Sequence, residues 1–482
     1  MFRILVAKEI AETVLDLRFA IAALLCVVLI PLGMYVSQKD YERRLTSYQA
    51  EHQMYRQRYG KDVRWDVEAQ GFRPPSILSV FASGVDPFLP DKVITSRSGL
   101  LRIAKEPGTE NPHSLLFGKA DFLFNVAFVV SFAALIFTFN SISGEKEMGT
   151  LRLMIANSIP RSRILLSKIV GNYVAISIPF IVSVLISLLV LEASPDVSIG
   201  SSRFWPAFLV IMLVTLLFVL GMVTLGICIS TLTQHSMNSI VLALIVWAMS
   251  VLGIPKVSPM IAEIFYPVEA GKIFRLTKQI AVEDVEKEFD QERQKLFEKC
   301  FEEYGAPESD LHVSPPQTEA GKKAMAKYDT EVVPVAHKYQ RRIADRVRQI
   351  EQDYRNRRNV QFSIAMNLSR ISPVSSYTYI VSGLSHTGVT EPDNFARNAQ
   401  RYQDEVEEAV YDKFDVRVGN IGLGGGVEGF DPKTASIPDM MYYYPTLTEA
   451  LQESWLDVLL LGFFDILFCS LAFMRFYRYD VR

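Results

Sequence analysis

The residue types that do chemistry do not assemble into a recognisable catalytic spacing in this sequence. No Gly-x-x-x-x-Gly-Lys-[Ser/Thr] run is present to cradle phosphates, and the cluster Gly424 to Gly426 lacks the Lys-Ser/Thr that would follow it. His-Glu-x-x-His and Gly-x-Ser-x-Gly are absent as well. Cys26, Cys228 and Cys469 fall in apolar runs, which leaves Cys300 without a disulfide framework, and no Cys/His spacing suits zinc. No catalytic residue and no metal ligand is therefore assigned. Charge is informative in two places. Asp465 sits in the middle of an apolar run, where exposure to lipid costs at least about 2.5 kcal/mol. It is expected to face protein or water, or to carry a proton, with a pathway or gating role and an interhelical hydrogen bond as its two readings. The second place is the charged stretch Ser141 to Lys168. Ser143 is placed to cap a helix beginning near Glu145, where Glu145 and Glu147 suit the positive end of the helix dipole. Met148, Leu151 and Ile155 then give a short apolar face, and Ser158-Ile159-Pro160 starts a second helix. Such a face seats in a groove of another protein, or packs on the membrane or on the chain's own helices.

The elements that position this stretch follow from composition. The chain has 482 residues, 49% of them hydrophobic and 21% charged, with the apolar residues concentrated in a few runs, as in a membrane protein. A net charge of −3 supplies no one-signed basic surface, so a nucleic-acid partner is not expected. A bilayer-crossing helix needs about 20 mainly apolar residues. Six runs meet this: Phe19 to Val36, Phe122 to Ile142, Ile169 to Leu191, Phe204 to Ile229, Ser239 to Ile254 and Trp455 to Met474. The polar turn Ser230 to Ser236 divides the uncharged stretch from Phe204 to Pro255 into two crossings.

The implied fold class is an all-α polytopic membrane protein with six transmembrane helices, an N-terminal interfacial helix and a mainly helical extracytoplasmic domain. Its parts are residues 1–17 (interfacial helix), 18–36 (first span), 37–120 (extracytoplasmic segment with a helical arm), 121–142 (second span), 143–168 (cytoplasmic loop), 169–255 (third to fifth spans), 256–454 (extracytoplasmic domain with a helical hairpin), 455–474 (sixth span) and 475–482 (tail). Lys146, Arg152, Arg161, Arg163 and Lys168 outnumber Glu145 and Glu147 in the short loop, and Arg475, Arg478 and Arg482 outnumber Asp480 in the tail. The positive-inside rule puts both in the cytoplasm, with both termini on that side.

Outside the membrane, Tyr41, Leu45, Tyr48, His52, Tyr55 and Tyr59 recur at spacings of four and three, the seam of a coiled coil continuing the first span to Gly60. His52 in that seam reads as a packing residue rather than a metal ligand. Two further periodic stretches, Ala281 to Tyr304 and one containing Tyr339, Ile343, Val347, Ile350 and Tyr354, predict a long antiparallel hairpin, either a docking arm or a solvated helix pair. Leu368 to Gly388 is too rich in Ser, Thr and Gly for a seventh span and is assigned to a helix at the outer membrane surface. Gly419 to Gly429 reads as a loop, and Tyr442, Tyr443, Tyr444 and Trp455 as an outer aromatic belt.

Gly144-Glu145-Lys146-Glu147-Met148-Gly149-Thr150-Leu151-Arg152, followed by Asn157-Ser158-Ile159-Pro160-Arg161-Ser162-Arg163 and Ser167-Lys168, resembles the cytoplasmic loop of type-2 ABC exporter permeases. The resemblance implies that this loop is the coupling helix, with Glu145, Glu147, Gly149, Thr150, Leu151 and Arg152 at or near the contact with an ATPase subunit. Met148 and Ile155 join them through the apolar face. It further implies two ATPase copies that bind ATP and Mg, a second permease subunit, identical or paralogous, and a bacterial inner-membrane location. No cofactor belongs to this chain. Pro74-Pro75-Ser76-Ile77-Leu78-Ser79 and Leu368-Ser369-Arg370-Ile371-Ser372-Pro373 resemble the branch with large extracytoplasmic domains, which includes gliding-motility and copper-enzyme-maturation permeases. The expected function is a permease that couples ATP hydrolysis to export. The alternative is a mechanotransmitting subunit that acts on a periplasmic or envelope partner, and a polytopic membrane enzyme is the least supported class.

Overall fold

A computed structural model describes residues 2–59, 69–95, 101–104, 119–156, 159–194, 200, 204–307, 318–406, 408 and 437–479. Six of its helices are long and apolar enough to cross a membrane: Leu17–Arg58, Phe122–Met148, Arg161–Glu192, Phe204–Leu232, Ser236–Phe265 and Leu447–Tyr477. The helix Phe2–Leu15 precedes them. Its Glu9 lies against the third span, where Gly171 permits the approach: a Cβ there would meet the Glu9 Cβ at 2.6 Å.

The second and fourth spans form the centre of the bundle, and the first, fifth and sixth lie outside it. Phe122, Phe180, Phe204 and Phe218 are fully buried in one apolar core. Two π-turns, Val126–Val130 and Met249–Gly253, interrupt the second and fifth spans. A side-chain bond links their surroundings: Trp247 Nε1 beside the second turn donates to Ser131 Oγ beside the first at 3.0 Å.

The first span continues without a break to Tyr59, about 65 Å at 1.5 Å per residue. Its aromatic seam is not left for a coiled-coil partner. His52 stacks on Tyr48 and meets Phe72 edge-on, and Tyr55 also meets Phe72. Phe72 belongs to a small antiparallel sheet that the helical periodicities do not announce: β1 (Ala69–Phe72), β2 (Lys92–Thr95) and β3 (Leu101–Ala104), in that order. Gly71 pairs with Val93 and Val93 with Ile103. The helix Glu391–Val406 covers this sheet, with Phe395 and Ala399 against Val93. Arg73 closes the module on Asp86 at 2.6 Å, and Arg44 from the arm bonds the same carboxylate. Burial alone would push Asp86 up, and the two guanidinium groups outweigh it and hold the carboxyl low.

The hairpin consists of Gly271–Glu303 and Glu319–Ser369, so its first helix is about 50 Å long. It starts ten residues before the periodic stretch at Ala281, because Phe274 stacks on Tyr354 at 4.2 Å and carries the pairing down to the root. Phe289 and Tyr339 meet farther along. The segment after the hairpin corrects the expectation of a surface helix. Pro373–Leu384 is buried between the fourth and sixth spans, with Tyr377 stacked on Phe218 at 4.4 Å and bonded to Thr215 at 3.1 Å. Its polar residues allow this burial. Thr378 bonds back to the carbonyl of Val374, Ser372 Oγ donates to the carbonyl of Ser250 at 2.7 Å, and Gly383 lies close beside Ser454. The loop expected at Gly419 to Gly429 lies outside the described residues.

Candidate functional site

The charged loop between the second and third spans folds as two short helices, Ser143–Met148 and Thr150–Ala156, joined at Gly149. Gly149 has φ of 76°, a left-handed conformation that ends the first helix and redirects the chain. The face expected from Met148, Leu151 and Ile155 is divided by this turn. Met148 is 72% exposed, whereas Leu151 is fully buried and Ile155 packs on the chain's own core. Leu153, not singled out by periodicity, is 66% exposed and takes the outward place. Glu147, Thr150 and Arg152 are also on the exposed side. Ser143 is not the cap. It is the first helical residue, Ile142 precedes it, and its hydroxyl donates to the carbonyl of Phe139 at 2.9 Å.

Buried polar contacts fasten the loop to elements distant in sequence. Lys168 Nζ, fully enclosed, lies 2.8 Å from Glu145 Oε1 and 3.1 Å from Glu9 Oε1. One ammonium thus joins the N-terminal helix, the loop and the third span. Burial raises the Glu9 carboxyl above its ordinary range, with Lys168 pulling it the other way. Thr13 donates to Asn172, which donates to Ser141, so a second polar chain runs beside the triad. On the other flank Ser230 Oγ accepts from the backbone N–H groups of Ile142 and Ser143, both at 2.9 Å. Lys146 Nζ donates to the carbonyls of Thr231 and Thr233 at 2.6 and 2.8 Å, and Glu147 accepts from the N–H of Ser236. Arg161 donates to the carbonyls of Tyr477 and Tyr479, so the end of the sixth span joins the same assembly. Both described chain ends therefore lie at the loop end of the bundle.

The arrangement is a small outward patch backed by ionic and hydrogen-bonded ties to the N-terminal helix, the third span, the turn between the fourth and fifth spans and the end of the sixth. Among the described residues, no group of His, Cys, Asp and Glu has the geometry to hold a metal ion. Glu9, Ser230 and Thr231 did not emerge from sequence reasoning. The available signal was opposite charge on two apolar helices, Glu9 and Lys168, with a glycine at Gly171 to let them meet.

The family model for ABC-2 family transporter proteins matches residues 3–481. The chain belongs to this family. Membership covers the loop, all six spans and the large segments between them, and makes this ABC-2 family chain a permease component of an ABC transporter. No curated protein matches the chain.

Asp465 of this ABC-2 permease is 8% exposed on the sixth span and lies beside Gly221 of the fourth, where a Cβ would come 2.5 Å from Oδ1. Neither carboxylate oxygen has a hydrogen-bond partner among the described residues. It faces protein, one of the surroundings expected for an acid within an apolar run.

Proposed function

We propose that this permease couples ATP hydrolysis by a separate ABC ATPase to export, with the loop at Glu145 to Ile155 as the point of contact. The outward display of Met148 and Leu153, on a loop tied to four other elements, carries this reading. A load applied there reaches the N-terminal helix through Lys168, the turn between the fourth and fifth spans through Ser230 and Lys146, and the chain's last helix through Arg161. ATP and Mg belong to the ATPase, of which two copies serve two permease subunits. In this reading the loop and both termini are cytoplasmic and the hairpin lies outside a bacterial inner membrane; the excess of Lys and Arg on the loop supports that orientation. Replacement of Met148 and Leu153 together by Asp is expected to abolish co-purification of the ATPase while the permease still reaches the membrane. Undiminished co-purification and output in that variant would remove the coupling assignment.

The hairpin favours a second reading. It projects about 50 Å and joins the sixth span through Arg370, whose guanidinium grips Asp457 with two bonds of 2.8 Å. A lever of that length suits work on an envelope partner without passage of a substrate. Deletion of the hairpin separates the readings: export persists without the hairpin if a substrate passes between the spans, whereas if the hairpin delivers the work the parent transporter exports nothing and the deletion abolishes its action on the envelope partner.

A further inference from the structure

The fifth span leaves most of its surface uncovered, with Val241, Ile245 and Met249 each about half exposed. In a membrane protein that is ordinary as far as lipid reaches. The exposed line does not stop there. Val257, Met260 and Ile264 continue it at spacings of three and four, 47%, 63% and 77% exposed. Ile273, Leu276 and Ile280 repeat the same spacing on the first hairpin helix, 53%, 55% and 48% exposed. The helix Ser236–Phe265 alone is about 45 Å long, the full thickness of a bilayer with its headgroups. The hairpin rises from its far end: Gln361 bonds the carbonyl of Tyr266, Phe274 meets Tyr354 seven residues farther out, and Lys278 meets Glu351 beyond that. Ile273 to Ile280 therefore stand above the lipid, with three large aliphatic side chains on the face turned away from the other hairpin helix.

We propose that a second copy of this chain covers this face, so that two hairpins meet along Ile273, Leu276 and Ile280 on a twofold axis. The inference rests on the two-subunit reading above and adds where the copies touch outside the membrane. The occupant must continue alongside the fifth span and leave the bilayer on the same line. A copy inserted with the same topology does both, and it presents the same three-four repeat in the same direction and register, as parallel helix pairing requires. Flanking charges permit the match. Across a parallel seam Lys272 faces Thr277 and Gln279 faces Asp284, so no like charges oppose one another. Glu283 and Lys287 occupy the next two seam positions and end it, leaving the hairpins free to part above Ile280.

The test uses membranes holding the whole transporter, with two differently tagged copies of the permease. Leu276→Cys and Ile280→Cys, each treated with a short thiol crosslinker, are expected to give a product carrying both tags at least tenfold above the parent chain and above Arg341→Cys on the other hairpin helix. Leu276→Glu with Ile280→Glu, at sites already exposed, is expected to weaken recovery of one tag with the other by at least tenfold. A crosslink to a different polypeptide, or no crosslink while the two tags still co-purify, overturns the seam and leaves the two-subunit reading standing. Failure of the tags to co-purify from the parent chain overturns both.

Discussion

Glu391 is a buried carboxylate of the module built around the small sheet. It is 3% exposed, accepts from Tyr442 Oη at 2.8 Å and from Asn394, and burial pushes its carboxyl up to about 7. The native state therefore holds a proton that the unfolded chain, with an ordinary carboxyl, releases near pH 4.5. Its stability is fully present below that pH, falls as pH rises through 7 and is level above. Thermal unfolding of the purified permease between pH 5 and 8 should show the loss, on the order of 2–3 kcal/mol. Glu391→Gln should remove the slope, and an unchanged slope would refute the assignment. Lys168 sets the complementary case at the loop end, since its removal strands two buried carboxylates. Lys168→Met is expected to destabilise the chain by about 3–5 kcal/mol. Most of that should return when Glu9→Gln and Glu145→Gln are added, because the cost lies in unpaired charge. A triple variant as unstable as Lys168→Met would show instead that packing around the lysine stem decides.

Gly149 shows how one residue sets the form of an element. Nothing lies within 4 Å of where its Cβ would be, so Gly149→Ala meets no clash and reports the left-handed backbone alone. A loss of about 1 kcal/mol is expected, with Gly149→Asn closer to the parent. Equal stability of the Ala and Gly proteins would mean that the turn is not held at φ of 76°. The same glycine marks a limit of periodicity. Spacings of three and four placed Met148, Leu151 and Ile155 on one face, and this holds only while the helix is unbroken. Met-Gly-Thr carried a helix-stop signal that the apolar spacing outweighed. Elements with long, strong periodicity were legible: all six spans, the arm to Tyr59 and the hairpin. The sheet at Ala69 to Ala104 was not, because strands of four residues have too few alternations to register. The buried helix Pro373–Leu384 misled for a different reason. Its serines and threonines lowered the apparent hydrophobicity, while inside the bundle Thr378 and Ser382 donate back to the helix carbonyls of Val374 and Tyr379. The outward patch itself needed Leu153, whose exposure depends on that turn at Gly149.

At the scale of the whole molecule, the two ends of the bundle are joined by the sixth span. Its lower end accepts from Arg161 through Tyr477, and its upper part holds Asp457, 2% exposed, in the grip of Arg370 at the hairpin root. The root has a second hold on the fifth span, because Ser372 bonds the carbonyl of Ser250 within the π-turn. Polar contacts at either end of one continuous helix, Leu447–Tyr477, thus connect the loop end of the bundle with the hairpin root. If this is the transmission path, Arg370→Ala and Asp457→Ala should each reduce output, and the charge-exchanged pair Arg370→Asp with Asp457→Arg should recover part of it. A double-mutant cycle on stability should give a coupling of about 1–3 kcal/mol. Stability alone does not separate transmission from folding, so the decisive readout is the distance between spin labels on the hairpin helices of two copies, with and without ATP. In Arg370→Ala that distance should stop responding to ATP while ATPase binding at the loop persists. A hairpin that still responds would place the path elsewhere, along the fifth span and its bond from Ser372.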